Sequence, residues 1–340
     1  MKRTTISDIA RKLNVSLHTV NKSLYGKKGV SEATREKIMQ TAKAMNYRAN
    51  RVAQSMARKP LTIGILATRE WHMVSDDFKK GIYKSVSNLQ DFNVSAKDYQ
   101  VSSSVHSMAE ISKVLKKVRS DGISALICVH VVLSDEHADF LVGNKIPFAL
   151  LGTDLLENKR LTSVRTDSIM AGRLGAELMG MKIEKAAPVA VLTGLRTYKD
   201  HEDKVAGFLE EARKQGLKIA GIYEHHDKPD IVYSLVDKIL EETPKVKGFY
   251  AATANSPEMC KRIVELGLQD STTIITTDLH GEIRNYLKDG VISASIFQNC
   301  ILEGETILSL IYSHLCEGKK IPSSVLIPPS VVLRNNLDAF

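Results

Sequence analysis

The 340-residue sequence has only four cysteines and a single tryptophan. Cys128, Cys260, Cys300 and Cys316 show no C-x-x-C spacing. Zinc sites and a dense disulfide framework are therefore not expected, and a reducing cytoplasm fits. Long apolar runs are also missing. Stretches such as Ala125–Val129 and Ile146–Leu151 fall well short of the ~20 residues a membrane helix needs. The N-terminal Met-Lys-Arg-Thr-Thr-Ile-Ser-Asp lacks an apolar h-region, so no secretory signal is visible. The phosphate-cradling G-x-x-x-x-G-K-[ST], the nucleophile elbow G-x-S-x-G and the zinc motif H-E-x-x-H do not occur. Enzymatic chemistry has no positive support, and neither a cofactor nor a metal is expected. The run His225-His226-Asp227 points adjacent side chains to opposite faces of an extended segment, which disfavours a shared ion.

The sequence is 43% apolar and 25% charged, the mix of a globular protein. Its length argues for two or three domains. The charge is unevenly placed. Residues 1–60 carry 14 Lys and Arg against three acidic residues, a net +11, whereas the other 280 residues net −3. That asymmetry suggests a nucleic-acid or membrane-surface module joined to a neutral body. The alternative, a solvated basic tail, requires that the segment lack folded periodicity.

The segment has such periodicity. Ile6, Ile9, Ala10 and Leu13 follow the i, i+3, i+4, i+7 spacing of one buried helical face. Thr5 and Asp8 fit a capping box, and Asn14-Val15 ends the helix. Ser16 caps a second helix that buries Val20 and Leu24 and presents Leu17, His18, Asn21 and Lys22 outward. After the loop Gly26-Lys27-Lys28-Gly29, Ser31 caps a third helix with Ala33, Ile38, Ala42 and Met45 inward. Two helices joined by a tight turn make a helix-turn-helix whose second helix fits the major groove. A short protein-docking module is the alternative. The following segment, 50–57, is bracketed by Asn50 and Pro60. It is too short to be a stable helix alone and should fold when docked. Small Ala53 and Ala57 allow close approach of a second copy, and Met56 is a candidate minor-groove wedge. Otherwise this is a basic linker.

The run from Thr5-Ile6-Ser7-Asp8-Ile9-Ala10 through Val15-Ser16-Leu17-His18-Thr19-Val20-Asn21-Lys22 and Val30-Ser31-Glu32-Ala33-Thr34-Arg35 to Asn46-Tyr47-Arg48-Ala49-Asn50-Arg51-Val52-Ala53-Gln54 resembles the N-terminal domain of the lactose-repressor (LacI/GalR) family over about 55 residues without a gap. The resemblance implies that Leu17, His18 and Lys22 read bases and that 50–57 is a minor-groove hinge helix. The candidate DNA contacts are Thr5, Ser16, Leu17, His18, Thr19, Asn21, Lys22 and Ser31, with Asn50, Val52, Ala53 and Met56 in the hinge. The family usually has Arg, Pro and Leu where Lys22, Ala49 and Met56 stand. Lys gives a point charge instead of a planar fork, and Met is a floppier wedge.

From Leu61 onward short strand-like runs alternate with helical stretches. The strands are 62–67, 124–129, 147–151, 189–192, 218–223, 248–252, 273–277 and 292–297. The helices include 77–89, 109–118, 169–179, 204–214 and 231–241. This alternation predicts an α/β body of parallel sheets, split into two similar lobes with a cleft at the strands' carboxyl ends. The same region is similar to the family's effector-binding half, itself like periplasmic sugar-binding proteins. The expected organisation is a three-helix helix-turn-helix domain at 1–49, a hinge and linker at 50–60 and an effector-binding and dimerisation domain at 61–340. Lobe one is expected near 61–162 and 293–322, and lobe two near 163–292 and 323–340. The three crossovers then fall near 162–165, 290–294 and 321–324. Asp167, Gly172 and Gly175 read as a helix cap and packing positions, not a phosphate loop.

Six residues are candidate effector contacts. Asp278 follows a strand and can accept from paired sugar hydroxyls, or it caps a helix starting at Leu279. The resemblance implies the ligand role. Asn255 offers donor and acceptor, or caps a helix. Lys204 stands where the family usually has an effector-binding Arg, or is a solvated helix lysine. Asp154 and Gln298 match further cleft-lining positions, or are loop and crossover residues. Trp71 offers an aromatic face for a pyranose ring, or packs into its own loop.

The expected function is a cytoplasmic, nucleoid-associated transcription regulator, a repressor by resemblance. It binds a pseudo-palindromic double-stranded DNA operator as a homodimer under control of a saccharide effector. The chain ends without the leucine-heptad tail of tetrameric relatives, and no membrane partner is expected. The alternatives are the same regulator with a non-sugar effector such as a nucleobase, a sugar-processing enzyme with a DNA-binding head, and a sequence-tolerant architectural protein.

Overall fold

The computed structural model describes residues 4–24, 28–45, 47, 60–69, 72–102, 108–253 and 255–340. The chain divides into two units, Met1–Pro60 with Asp91–Asn93 and Leu61–Gln90 with Val94–Phe340. The first holds α1 (Ile6–Leu13), α2 (Leu17–Leu24) and α3 (Glu32–Ala44). Thr5 and Asp8 form the capping box of α1, with Thr5 N–H donating to Asp8 Oδ2 at 2.9 Å. Asn14 ends the helix in the left-handed region at φ 53°, a conformation Asn tolerates. Ile9, Ala10, Val20, Ile38 and Ala42 form the core, with Ile6, Leu13, Leu24, Met45 and Tyr47 packed around it. One expectation fails. Ala33 is exposed, because it lies in the first turn of α3, on the solvent side of the Ile38–Ala42 stripe.

Ile38 is fully buried. Ile38→Ala should cost ~2–5 kcal/mol, and a unit this small has little stability to lose. Amide protection in α1–α3 should collapse while that of the larger unit stays unchanged. Retained protection in the head would refute this packing.

The second unit contains two six-stranded sheets. The first is built from β1 (Leu61–Thr68), β2 (Val94–Val101), β3 (Ala125–Val129), β4 (Phe148–Leu151), β5 (Thr162–Thr166) and β11 (Ser324–Ile327) in the order β11-β5-β4-β3-β1-β2. The second is built from β6 (Pro188–Thr193), β7 (Lys218–Glu224), β8 (Gly248–Ala251), β9 (Thr273–Thr277), β10 (Ala294–Phe297) and β12 (Ser330–Val332) in the order β12-β10-β9-β8-β6-β7. Every pairing is parallel except β10–β12. Central strands such as β3 and β4 are buried along their whole length, as parallel strands covered on both faces must be.

Helices cover both sheets. α4 (His72–Asn88), α5 (Met108–Ser120), α6 (Asp135–Gly143) and α12 (Cys300–Glu317) belong to the first lobe. α7 (Ser168–Lys182), α8 (Lys199–Gln215), α9 (Pro229–Glu242), α10 (Ser256–Glu265) and α11 (Ile283–Lys288) belong to the second. Asp167 Oδ1 caps α7 by accepting from Met170 N–H at 3.0 Å, and Gly175 lets Tyr250 approach.

The crossovers lie later in the chain than expected. Thr162–Thr166 is a strand of the first sheet, and so is Ser324–Ile327. The chain therefore changes lobes after Thr166, between Phe297 and Cys300, and between Ile327 and Ser330. β5 was mistaken for a connection because Thr162, Ser163 and Thr166 are polar. Their hydroxyls are satisfied by segments far away in the chain, Thr162 donating to Pro322 O at 2.9 Å, Ser163 to Ser324 Oγ at 3.0 Å and Thr166 to Glu303 Oε1 at 2.6 Å. Among the described residues no helix is long and apolar enough to cross a membrane.

Candidate nucleic-acid interface and effector site

The head's outward face is built by caps. Ser16 Oγ accepts from Thr19 N–H at 3.0 Å and Ser31 Oγ from Thr34 N–H at 3.3 Å. The predicted contacts Thr5, Ser16 and Ser31 therefore first fix where helices start, with their side chains still on the exposed surface. Leu17, the first residue of α2, is 54% exposed, and His18 is exposed beside it. Thr19, Asn21 and Lys22 are half-buried. Arg35, which sequence reasoning missed, donates from α3 to the carbonyl of Ser23 at 3.2 Å and so holds the end of α2. Asn50, Val52, Ala53 and Met56, like Trp71, lie outside the described residues.

In the larger unit the strand ends carry backbone strain. His130 follows β3, Asp227 lies beyond β7 and Asp278 follows β9, with φ of 50°, 57° and 71°. Non-glycine residues in this region are uncommon and cluster at functional sites. Asp278 is 5% exposed. No helix begins at Leu279, since α11 starts at Ile283, so the capping alternative is removed. Gln298 Nε2 donates to Asp278 Oδ1 at 2.8 Å instead, which brings two predicted contacts together.

Lys204 is no solvated lysine. It is 2% exposed, and its Nζ donates to Asp200 Oδ2 at 2.7 Å. Burial alone would lower the ammonium's pKa, but Asp200 and then Asp278 more than offset it and raise it. Burial pushes Asp200 the other way, and Lys204 and His201 hold its carboxyl well below the usual range. Ser168, at the start of α7, donates to the same carboxylate. The i, i+4 spacing of Asp200 and Lys204 was legible in the sequence.

Asn255 does not cap α10 with its side chain. It points Nδ2 at Asp227 Oδ1, 3.5 Å away. Asp227 Oδ2 is buried without a hydrogen-bond partner. Asp154 stands apart from this group. Its carboxylate accepts from Arg160 and from Ser324 Oγ at 3.0 Å. Burial opposes ionisation of Asp154, but the Ser163 hydrogen bond and the Arg160 charge hold its pKa below the ordinary value. Asp154 thus ties the β4–β5 loop to β11.

The lobes meet at the sheets' carboxyl ends. His280 Nδ1 of lobe two lies 3.6 Å from Asp77 Oδ2 of α4, and Arg165 Nη1 of β5 lies 3.5 Å from Asp203 Oδ2 of α8. Glu303, on α12, went unnoticed in the sequence. It is 1% exposed and accepts from Thr166 Oγ1 at 2.6 Å. Burial pushes its pKa up to about 8, aided by Asp200 and Asp278 and opposed by the Thr166 bond and Lys204. A single Glu on an otherwise apolar helix face was the available signal. Among the described residues no group of three His, Cys, Asp or Glu is placed to hold a metal.

Residues 5–50 match the family described as bacterial regulatory proteins, lacI family, and residues 107–320 match the periplasmic binding protein domain. The catabolite control protein A of Staphylococcus aureus (strain MRSA252) is 26% identical over 218 residues, 63% of this chain and 63% of that protein's own length. That of Priestia megaterium is 24% identical over 281 residues, 81% of this chain and 80% of the relative. Among solved structures, the glucose-galactose binding protein GanP from Geobacillus stearothermophilus has a TM-score of 0.72 at 21% identity, over 82% of this chain and 99% of that one. A periplasmic solute binding protein from Actinobacillus succinogenes 130z with bound D-allose has a TM-score of 0.75 at 17% identity, over 83% and 100%. These structural likenesses show the fold. With its helix-turn-helix head and its two-sheet body, the chain belongs to the lacI family of bacterial regulatory proteins.

Proposed function

We propose that this DNA-binding regulator is a repressor whose operator affinity is set by a saccharide bound between the two lobes. The observation that carries the reading is Asp278. It is a strained, buried carboxylate oriented by Gln298 at the end of β9, within the field of the Lys204–Asp200 pair. A carboxylate fixed in this way accepts from neighbouring hydroxyls, and its bonds to a sugar are stronger than neutral ones. The sugar ligands named for structural neighbours agree with this chemistry.

On this reading two copies pair through the body and their α2 helices enter successive major grooves of a pseudo-palindrome. Leu17, His18 and Lys22 read bases, and Thr5, Ser16, Thr19, Asn21 and Ser31 lie along the same face. Asn50, Val52, Ala53 and Met56 form the minor-groove hinge, and Trp71 contributes an aromatic wall to the cleft. Asn255 adds a polar contact beside Asp227, and Asp154 acts through the loop it anchors. Ligand shifts operator affinity only if it binds the two lobe arrangements unequally.

Fluorescence anisotropy with operator DNA, with and without sugars, tests both halves. Asp278→Asn should weaken sugar binding at least ~100-fold, since a buried charged acceptor is lost, and leave effector-free operator affinity unchanged. Met56→Ala should do the reverse, weakening operator binding with sugar affinity intact. A sugar response preserved in Asp278→Asn would remove Asp278 from the site. Unchanged operator affinity in Met56→Ala would remove the wedge.

A further inference from the structure

We infer that the cleft takes an uncharged effector and rejects its phosphorylated or carboxylated counterparts, because among the described residues three carboxyl groups converge on its floor and the ammonium beside them is already committed. The inference rests on the cleft being the effector site. The carboxyls come from both lobes, Asp200 and Asp278 from lobe two and Glu303 from lobe one. The ammonium is Lys204, bonded to Asp200 at 2.7 Å. The other deeply buried cation, Arg160, is spent on Asp154 and on the carbonyls of Leu155 and Ser323. Arg165 lies 3.9 Å from Asp154 and 3.5 Å from Asp203, two carboxylates that outweigh its charge, although its Nε is buried without a hydrogen-bond partner.

With Asp200 and Lys204 cancelling, the field of the floor is that of Asp278. Its partner Gln298 is a neutral donor and supplies no positive charge. Three buried histidines are held below their ordinary pKa, and His280 lies 3.6 Å from Asp77 at the lobe junction. Burial lowers His130 and His225 to about 4, and it lowers His201 as well. Glu303 avoids adding a second net negative charge only by keeping its proton.

Among the described residues, an anion entering this floor would lose its hydration and find Lys204 and Arg160 committed and Arg165 already set between two carboxylates, while facing a charge of its own sign. A hydroxyl-bearing neutral ligand meets acceptors that match its donors. The discrimination therefore comes from the lobes closing carboxyls onto one another, a property that no single strand end carries.

Titration calorimetry on the full chain decides this. The ligands are unmodified aldopentoses and aldohexoses, their terminal phosphates, the matching uronic acids, adenine and hypoxanthine. An uncharged member should bind at least ~100-fold more tightly than its anionic derivative, a ratio of the size that two adjacent like charges impose at low effective dielectric. Asp278→Asn should weaken the parent ligand and leave its phosphate unchanged or tighter. A phosphate or uronate that binds as tightly as its parent overturns the charge inference and leaves the saccharide reading intact. A purine base binding where no sugar does overturns the saccharide reading and supports the charge inference. Silence across the whole panel removes the cleft as effector site, and the inference with it.

Discussion

Gly172→Ala is expected to destabilise the larger unit by about 3 kcal/mol or more and to abolish the effector response. The reason is a helix contact made through backbone. A Cβ on Gly172 of α7 would lie 2.0 Å from the carbonyl oxygen of Lys204 and 2.6 Å from Phe208 N, both on α8. The contact is reciprocal, since a Cβ on Gly207 of α8 would lie 2.1 Å from the carbonyl oxygen of Ile169 on α7. A flexible side chain can rotate away from an added methyl, but backbone cannot, so the two helices must separate. The separating helix carries Asp200 and Lys204, and the floor of the cleft moves with it. For a unit of this size the loss corresponds to a fall in Tm of ~6–12 °C. Calorimetric melting together with sugar titration checks both effects, and wild-type values for either would refute the close approach. Lobe one uses the same device. Gly81 of α4 and Gly304 of α12 face each other's helix, with Cβ positions 2.0 Å from Ile301 O and 2.2 Å from Phe78 O.

Glu303→Gln should stabilise the protein at pH 8 by ~3 kcal/mol and leave it nearly unchanged at pH 4.5. The folded chain holds the Glu303 proton up to about pH 8, against an ordinary value of 4.5. Between those two pH values the unfolded chain has released a proton that the folded chain still carries. Stability linked to Glu303 is therefore fully present below pH 4.5 and declines as pH rises through that window. Glutamine keeps an acceptor for Thr166 and has no proton to lose, so the variant's stability should be flatter with pH. Urea unfolding at several pH values measures the difference. A constant offset between wild type and variant across the window would mean that Glu303 is not the titrating group.

The sequence was most informative where local rules act alone. The caps at Thr5, Ser16 and Ser31 were readable because a hydroxyl or carboxylate three residues ahead of a helical stripe satisfies an orphan N–H whatever the rest of the chain does. β9 was readable residue for residue, since Thr273–Thr277 is a continuous β-branched run. β2, β5, β11 and β12 were not, because edge and switch strands mix polar and apolar residues according to what covers them. β2 breaks a period-two burial pattern, with Lys97 and Asp98 both exposed and Tyr99 Oη anchored on Asp121 at 2.6 Å, and nothing local announces that partner.

Of the candidate effector residues, Asp278 was picked out by its place after a strand together with the family resemblance, and Lys204 and Gln298 by resemblance, while their grouping needed the fold. Lys204 meets Asp200 one turn away on α8 and Arg160 meets Asp154 six residues away, whereas Gln298 with Asp278 and Thr166 with Glu303 join segments 20 and 137 residues apart. By itself the sequence determined the family architecture, a cationic three-helix head followed by an α/β body, because net charge and hydrophobic period are summed along the chain. Only the tertiary structure decided which charges are spent and which remain to meet a ligand, because a pKa or an ion pair depends on distance and burial, which the order of residues does not contain.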